Sequence, residues 1–277
     1  MHHDTVTLDN QAKTLFEQYK DQTLTNKQRL TVPVQEMPAQ DPDIRRDNME
    51  EVALGYTESQ VLVESLRCLQ CANAPCIAGC PVRIDIPRFI AKAALGDFAG
   101  SIGVIKEASM LPSVCGRVCP QETQCQQTCT VGRVHKDIDK AVSIGRIERF
   151  VADWEASQGK RSVPEVGQST GKKVGVVGSG PASMTAAADL RRAGHEVVMF
   201  EALHKCGGVL VYGIPEFRLP KRIVQEEIDT LVSMGVKIEQ NFLVGRTATI
   251  DELMTRDGFD ALFIGSGAGL PNFLNIP

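Results

Sequence analysis

Nine cysteines stand in this chain, and eight of them fall in two short runs whose spacing suits iron-sulfur chemistry. The first run, CLQCANAPCIAGCP, sets Cys68, Cys71, Cys76 and Cys80 at gaps of two, four and three residues, with Pro81 directly behind the last thiol. The second, CGRVCPQETQCQQTC, sets Cys115, Cys119, Cys125 and Cys129 at gaps of three, five and three. A four-iron four-sulfur cube needs an anionic ligand at each iron. A short loop can wrap three corners before its backbone must leave, and in a Cys-Pro ending the fourth thiol serves the other cluster. The spacing therefore predicts two cubes with exchanged ligands. Zinc is the main rival, although its sites usually use two separated Cys-x2-4-Cys pairs. Disulfides conflict with a reducing compartment. An oxidised cube with four thiolates carries a charge of about −2. Arg67, Arg83, Arg117 and Arg133, beside the cysteines, are candidates to offset it.

A second chemistry is written in GSGPAS. Gly178, Ser179, Gly180, Pro181 and Ala182 follow a predicted strand and open a predicted helix, and Glu201 ends the next strand, twenty-one residues after Gly180. That context is the dinucleotide fingerprint. Gly178 permits the tight turn, Gly180 lets a pyrophosphate approach, and the helix N-terminus offers free N–H groups. Glu201 would accept from ribose hydroxyls and repel a 2′-phosphate, which favours FAD or NAD over NADP. Ser183 stands where glycine or alanine is usual, and its hydroxyl needs a partner. Gly265 to Gly269 form a second glycine run, but too few residues come after it for a site of its own, so it reads as the closing loop of the first fold. Cys206 has no second thiol nearby and reads as a packed or partly exposed thiol. His195 and His204 read as surface residues, and no nucleophile motif supports hydrolase chemistry.

The elements that must position these groups fall into four stretches. Residues 1–50 read as an arm, with a short helical pattern and an irregular proline-spaced stretch, VPVQEMPAQDPDIR. Residues 51–156 read as a helical domain holding the cysteines. There TESQVLVESLRC carries a capping signature that runs into Cys68, and helical patterns span Ile86 to Leu95, Phe98 to Lys106 and Ala141 to Trp154. Residues 157–172 read as a linker. From Lys173 the pattern is strand, glycine turn, helix and strand, with Gly194 at a helix end, a helix from Arg222 to Met234 and a strand in FDALFIG. A net charge of −4 offers no general attraction to nucleic acid or anionic lipid. No apolar run is long enough to cross a bilayer and the first residues lack a secretory pattern, so the expectation is a cytoplasmic protein.

The combination of RCLQC, VCGRVCPQ, VGVVGSGPAS and GGVLVYGIPEFRLPK resembles the small (beta) subunit of NADPH-dependent glutamate synthase. It also resembles the N-terminal part of dihydropyrimidine dehydrogenase and the large subunit of NADH-dependent ferredoxin:NADP oxidoreductase. The resemblance covers nearly the whole chain from about Leu30. It implies an α-helical iron-sulfur domain followed by an α/β Rossmann-like FAD-binding domain, the latter incomplete over residues 173–277. One 4Fe-4S cluster would use Cys68, Cys71, Cys76 and Cys129. The other would use Cys80, Cys119, Cys125 and Glu148 of SIGRIERF, leaving Cys115 unligated, whereas counting thiols alone would have chosen Cys115. For FAD the resemblance implies Gly178 to Ala182, the segment Glu201 to Val209 including Gly208, Arg218 of EFRLP, and Val244. GSGAGLPNFLNIP looks like the close of the first FAD segment. An NADPH domain and a last FAD segment would lie beyond Pro277, so the expectation is a fragment or a truncated gene without NADPH oxidation of its own. A larger catalytic subunit, or further domains of the same chain, would receive the electrons, and oligomerisation is left open. A stand-alone electron-transfer or docking module is the non-enzymatic alternative.

Overall fold

The computed structural model describes residues 4–159 and 161–268. Two units result, one of residues 1–161 with 216–220 and one of residues 162–215 with 221–277.

The first unit is helical: α1 (Thr5–Tyr19), the single turns α2 (Asn26–Arg29) and α3 (Pro42–Arg45), then α4 (Glu58–Leu66), α5 (Pro75–Gly79), α6 (Ile86–Ala94), α7 (Phe98–Lys106), α8 (Pro112–Val118), α9 (Thr130–His135) and α10 (Ile144–Ser157). Thr57 caps α4 through a reciprocal bond with Gln60, as the sequence signature predicts. The proline-spaced stretch is less irregular than expected, because Asp41 caps α3 and Pro42 presets its first turn. Helix α10 packs on α8, α7, α4 and α6. Phe89, Ile90, Ile105 and Ile147 fill the centre of this core.

Two buried ionic networks brace the unit. Arg67 is almost fully buried, forms an ion pair with Glu64, and donates to the carbonyls of Lys140, Ala141 and Val32. The Glu64 oxygens also accept from the backbone N–H groups of Gln35 and Ser143. One ion pair thus ties the arm, α4 and the entry to α10. A second network joins Arg117 and Arg149 to Glu51 and Asp153.

The second unit is a parallel sheet. It runs β1 (Lys173–Val177), α11 (Pro181–Arg192), β2 (Glu196–Glu201), α12 (Val209–Tyr212), α13 (Lys221–Ser233), β3 (Lys237–Gln240), α14 (Ile250–Thr255) and β4 (Ala261–Ile264). The strand order is β3-β2-β1-β4, with Val176 beside Met199 on one side and Phe263 on the other. This is the order of a doubly wound dinucleotide fold about its first strand, which places ligands at the carboxyl ends of the strands. Among the described residues no helix is long and apolar enough to cross a membrane.

Candidate iron-sulfur and dinucleotide sites

Local structure places several of the thiols in or at the ends of helices. Cys68 follows the last turn of α4, Cys76 lies in α5, Cys80 ends α5, Cys119 ends α8 and Cys129 opens α9. Cys68, Cys71, Cys76 and Cys129 line one cavity, whose remaining wall is largely apolar, with Ile86, Ile90, Val131, Val142 and Ile144 among its residues. A thiol from the second run therefore joins three from the first. Burial, followed by the neighbouring thiols, pushes Cys68 up to about 11 and Cys76 up to about 12. Cys71 donates to Thr130 Oγ1 at 3.3 Å.

The remaining groups meet around α10. Burial pushes the Cys125 thiol up to about 12, and the charges of Glu148, Cys80 and Cys119 add to it. Glu148 is 6% exposed, and its Oε1 is buried with no hydrogen-bond partner among the described residues. Burial, with Cys119 beside it, raises its carboxyl to about 8. Cys115 donates to Cys119 and brings that thiol down to about 7, while this bond and burial push Cys115 well up. Ser109 Oγ donates to Cys115 at 4.0 Å. Among the described residues no three His, Cys, Asp or Glu side chains converge closely enough to hold a single ion. Structural zinc would draw four sulfurs to about 2.3 Å from one centre. A ring of thiols about a cavity and an orphaned buried carboxylate oxygen fit a larger cage.

The arginines expected to offset cluster charge are placed differently. Arg67 and Arg117 are committed to the ion pairs already described, and Arg83 and Arg133 are exposed. Arg29, which carried no signal in the cysteine spacing, donates to the carbonyls of Leu66 and Cys68 at 2.9 and 3.1 Å and puts its positive charge beside the Cys68 thiol.

In the second unit a cleft of about 660 Å³ opens at the carboxyl ends of β1, β2 and β4, within the usual size range for ligand pockets. Its walls include Gly178, Ser179, Gly180, Pro181, Ala182, Glu201, Gly208, Val209 and Val244. Gly178 adopts φ +90, where a side chain would be strained and its Cβ would meet the Gly265 carbonyl. Gly180 begins α11 with no side-chain cap, so the first N–H groups of a twelve-residue helix face the cleft without a competitor. Leu203 N–H donates to Glu201 Oε1 at 2.8 Å, Ser179 Oγ donates to Oε2, and Gly207 N–H donates to Ser179 Oγ at 2.9 Å. The Ser183 hydroxyl finds its partners in the carbonyls of Val177 and Gly265, at 3.4 and 3.3 Å.

The glycine run read as a closing loop does more than close the fold: Gly265, Ser266, Gly267 and Ala268 form part of the cleft wall, while Gly269 and the residues after it lie outside the described residues. Phe242 and Leu243, also in the wall, had no motif to mark them. Arg218 belongs to the helical unit, where it lines another cavity with Arg45, Arg146, Arg149 and Cys119. Cys206 is buried, with Gln240 Nε2 at 3.7 Å. His204 is exposed, whereas His195 is half-buried with its Nδ1 at 2.7 Å from Thr170 Oγ1.

Residues 45–160 match the family described as dihydropyrimidine dehydrogenase domain II, 4Fe-4S cluster, and residues 176–214 match the NAD(P)-binding Rossmann-like domain. The NAD-dependent dihydropyrimidine dehydrogenase subunit PreT of Salmonella typhimurium is 36% identical over 83% of this chain and 55% of its own length. The small chain of glutamate synthase [NADPH] from Escherichia coli is 35% identical over 81% of this chain and 46% of its own. Over most of its length the chain is thus similar to subunits of dihydropyrimidine dehydrogenase and of glutamate synthase. The glutamate synthase [NADPH] small chain of Azospirillum brasilense is a further relative, 34% identical over 79% of this chain and 45% of its own. The chain thus spans about half the length of the curated relatives it matches. The match to the iron-sulfur domain comes first here, followed by the match to the Rossmann-like domain.

Proposed function

We propose that this chain is part of an NAD(P)H-dependent flavin and iron-sulfur oxidoreductase of the glutamate synthase small-chain type, with two 4Fe-4S clusters in the helical unit and FAD in the Rossmann-like cleft. The observation that carries this reading is Cys129, from the second run, lining one cavity with Cys68, Cys71 and Cys76. Cys80, Cys119, Cys125 and Glu148 would hold the second cube. Bound flavin supplies the conversion between two-electron hydride chemistry and single electrons, and the cubes relay single electrons.

The residues of the chain do the positioning. The apolar wall around the first four thiols excludes water, and Arg29 offsets part of the negative charge beside Cys68. Glu148 would present an oxygen, a harder donor than sulfur, which retunes the cluster it holds. In the other unit, the open first turn of α11 suits a pyrophosphate and Glu201 suits a ribose. A cytoplasmic setting keeps the thiols reduced until they are loaded.

The likeness to the PreT subunit favours a second reading of the same chemistry, in which the electrons serve a pyrimidine-reducing partner subunit rather than a glutamate-forming one. Anaerobic purification with iron, sulfide and flavin quantified per chain tests the shared core. About eight irons and one FAD are expected, and Cys129→Ser should lower iron to about four while leaving flavin unchanged. A colourless chain with stoichiometric zinc would end this reading.

A further inference from the structure

Ser179 is 1% exposed and Glu201 is 5% exposed, yet both line the cleft. The Gly207 N–H can only donate, so the Ser179 oxygen accepts it at 2.9 Å, and the hydroxyl proton is directed to Glu201 Oε2. On the other carboxylate oxygen, Leu203 N–H occupies one acceptor site at 2.8 Å. An ionised carboxylate offers about four acceptor sites on two oxygens. Among the described residues, one of the two on each oxygen is filled from the protein, and one on each remains. Rotating the carboxylate would break both bonds at once, which fixes where the open sites point.

We propose that Ser179 is a positioning residue that locks Glu201 so that its two open sites receive the 2′- and 3′-hydroxyls of one ribose, making the 2′-hydroxyl a determinant of which nucleotides the cleft accepts. This rests on reading the cleft as a nucleotide site. A 2′-deoxy nucleotide would leave one acceptor of a buried carboxylate without a donor, and a 2′-phosphate would place like charge against it.

Calorimetric titration of the intact chain with ADP and with 2′-deoxy-ADP tests the idea. The unmodified chain should prefer ADP about tenfold, the size expected for one hydrogen bond to a charged group. In Ser179→Ala that preference should fall to about twofold, mainly through weaker ADP binding, and Ser179→Thr, which keeps the hydroxyl, should restore it. Equal weakening of both nucleotides in Ser179→Ala, or an unchanged preference, would make Ser179 merely structural and overturn the inference. So would an unmodified chain with no preference for ADP, a result that requires no variant to fold. If the unmodified chain binds neither nucleotide, the cleft reading itself falls and the inference with it.

Discussion

Glu148 shows how much one side chain can carry. Its carboxyl, raised to about 8 from an ordinary value near 4.5, stays protonated in the folded chain over a range where the unfolded chain has already lost the proton. Between these values the folded state binds more protons, so the stability of the cluster-free chain falls as pH rises from about 4.5 to about 8. Glu148→Gln removes the titrating group. Thermal unfolding of the cluster-free chain at pH 5 and pH 8 should therefore show a larger drop for the native sequence than for Glu148→Gln. Spacing identified the two cysteine runs, but nothing local marks Glu148, which looks like one more acidic residue in SIGRIERF and entered only through family resemblance. Arg29 was less visible still. It acts on Cys68 across a chain separation that no motif spans.

Elements were legible where their signals were local. The capping box at Thr57 and the apolar spacing of α6 and α7 are complete within a dozen residues, and the structure places helices there. Helix α10 starts at Ile144, three residues after the expected Ala141, because the Lys140 and Ala141 carbonyls turn to Arg67 instead of to helical N–H groups. Strand β3, KIEQ, lies at the sheet edge with mostly exposed side chains, so it lacks the apolar pattern by which the other strands are read. Arg67 offers the test at this scale. Arg67→Met would strand Glu64 in the interior, a loss of about 3–5 kcal/mol for a broken buried pair. Chemical denaturation should show it, and iron loading should fall too, since α4 and the segment entering α10 lose their common tie.

Across the whole molecule, the break between the two units falls beside Arg161, in a stretch from 157 to 172 that is mostly exposed and without helix or strand after Ser157 among the described residues. Limited trypsin digestion should cut first near Arg161, and the N-terminal fragment should keep the iron, because every proposed cluster ligand precedes that point. If early cleavage falls instead between Cys68 and Cys129, the helical unit is looser than its buried core implies. Sequence composition suggested a connecting stretch there, but it had no means of showing that residues 216–220, far along the chain, side with the helical unit through the bond from Val52 N–H to the Phe217 carbonyl.

The sheet order has a practical outcome. At one margin β3 is guarded by charge, with Lys237 paired to Glu196. At the other, β4 carries ALFI, hydrogen-bonds only to β1 among the described strands, and leaves Ile264 54% exposed. An apolar edge with unused backbone groups invites another strand. Prepared by itself, the polypeptide should self-associate as concentration rises, visible as growing light scattering, and a Lys in place of Ile264 should suppress it.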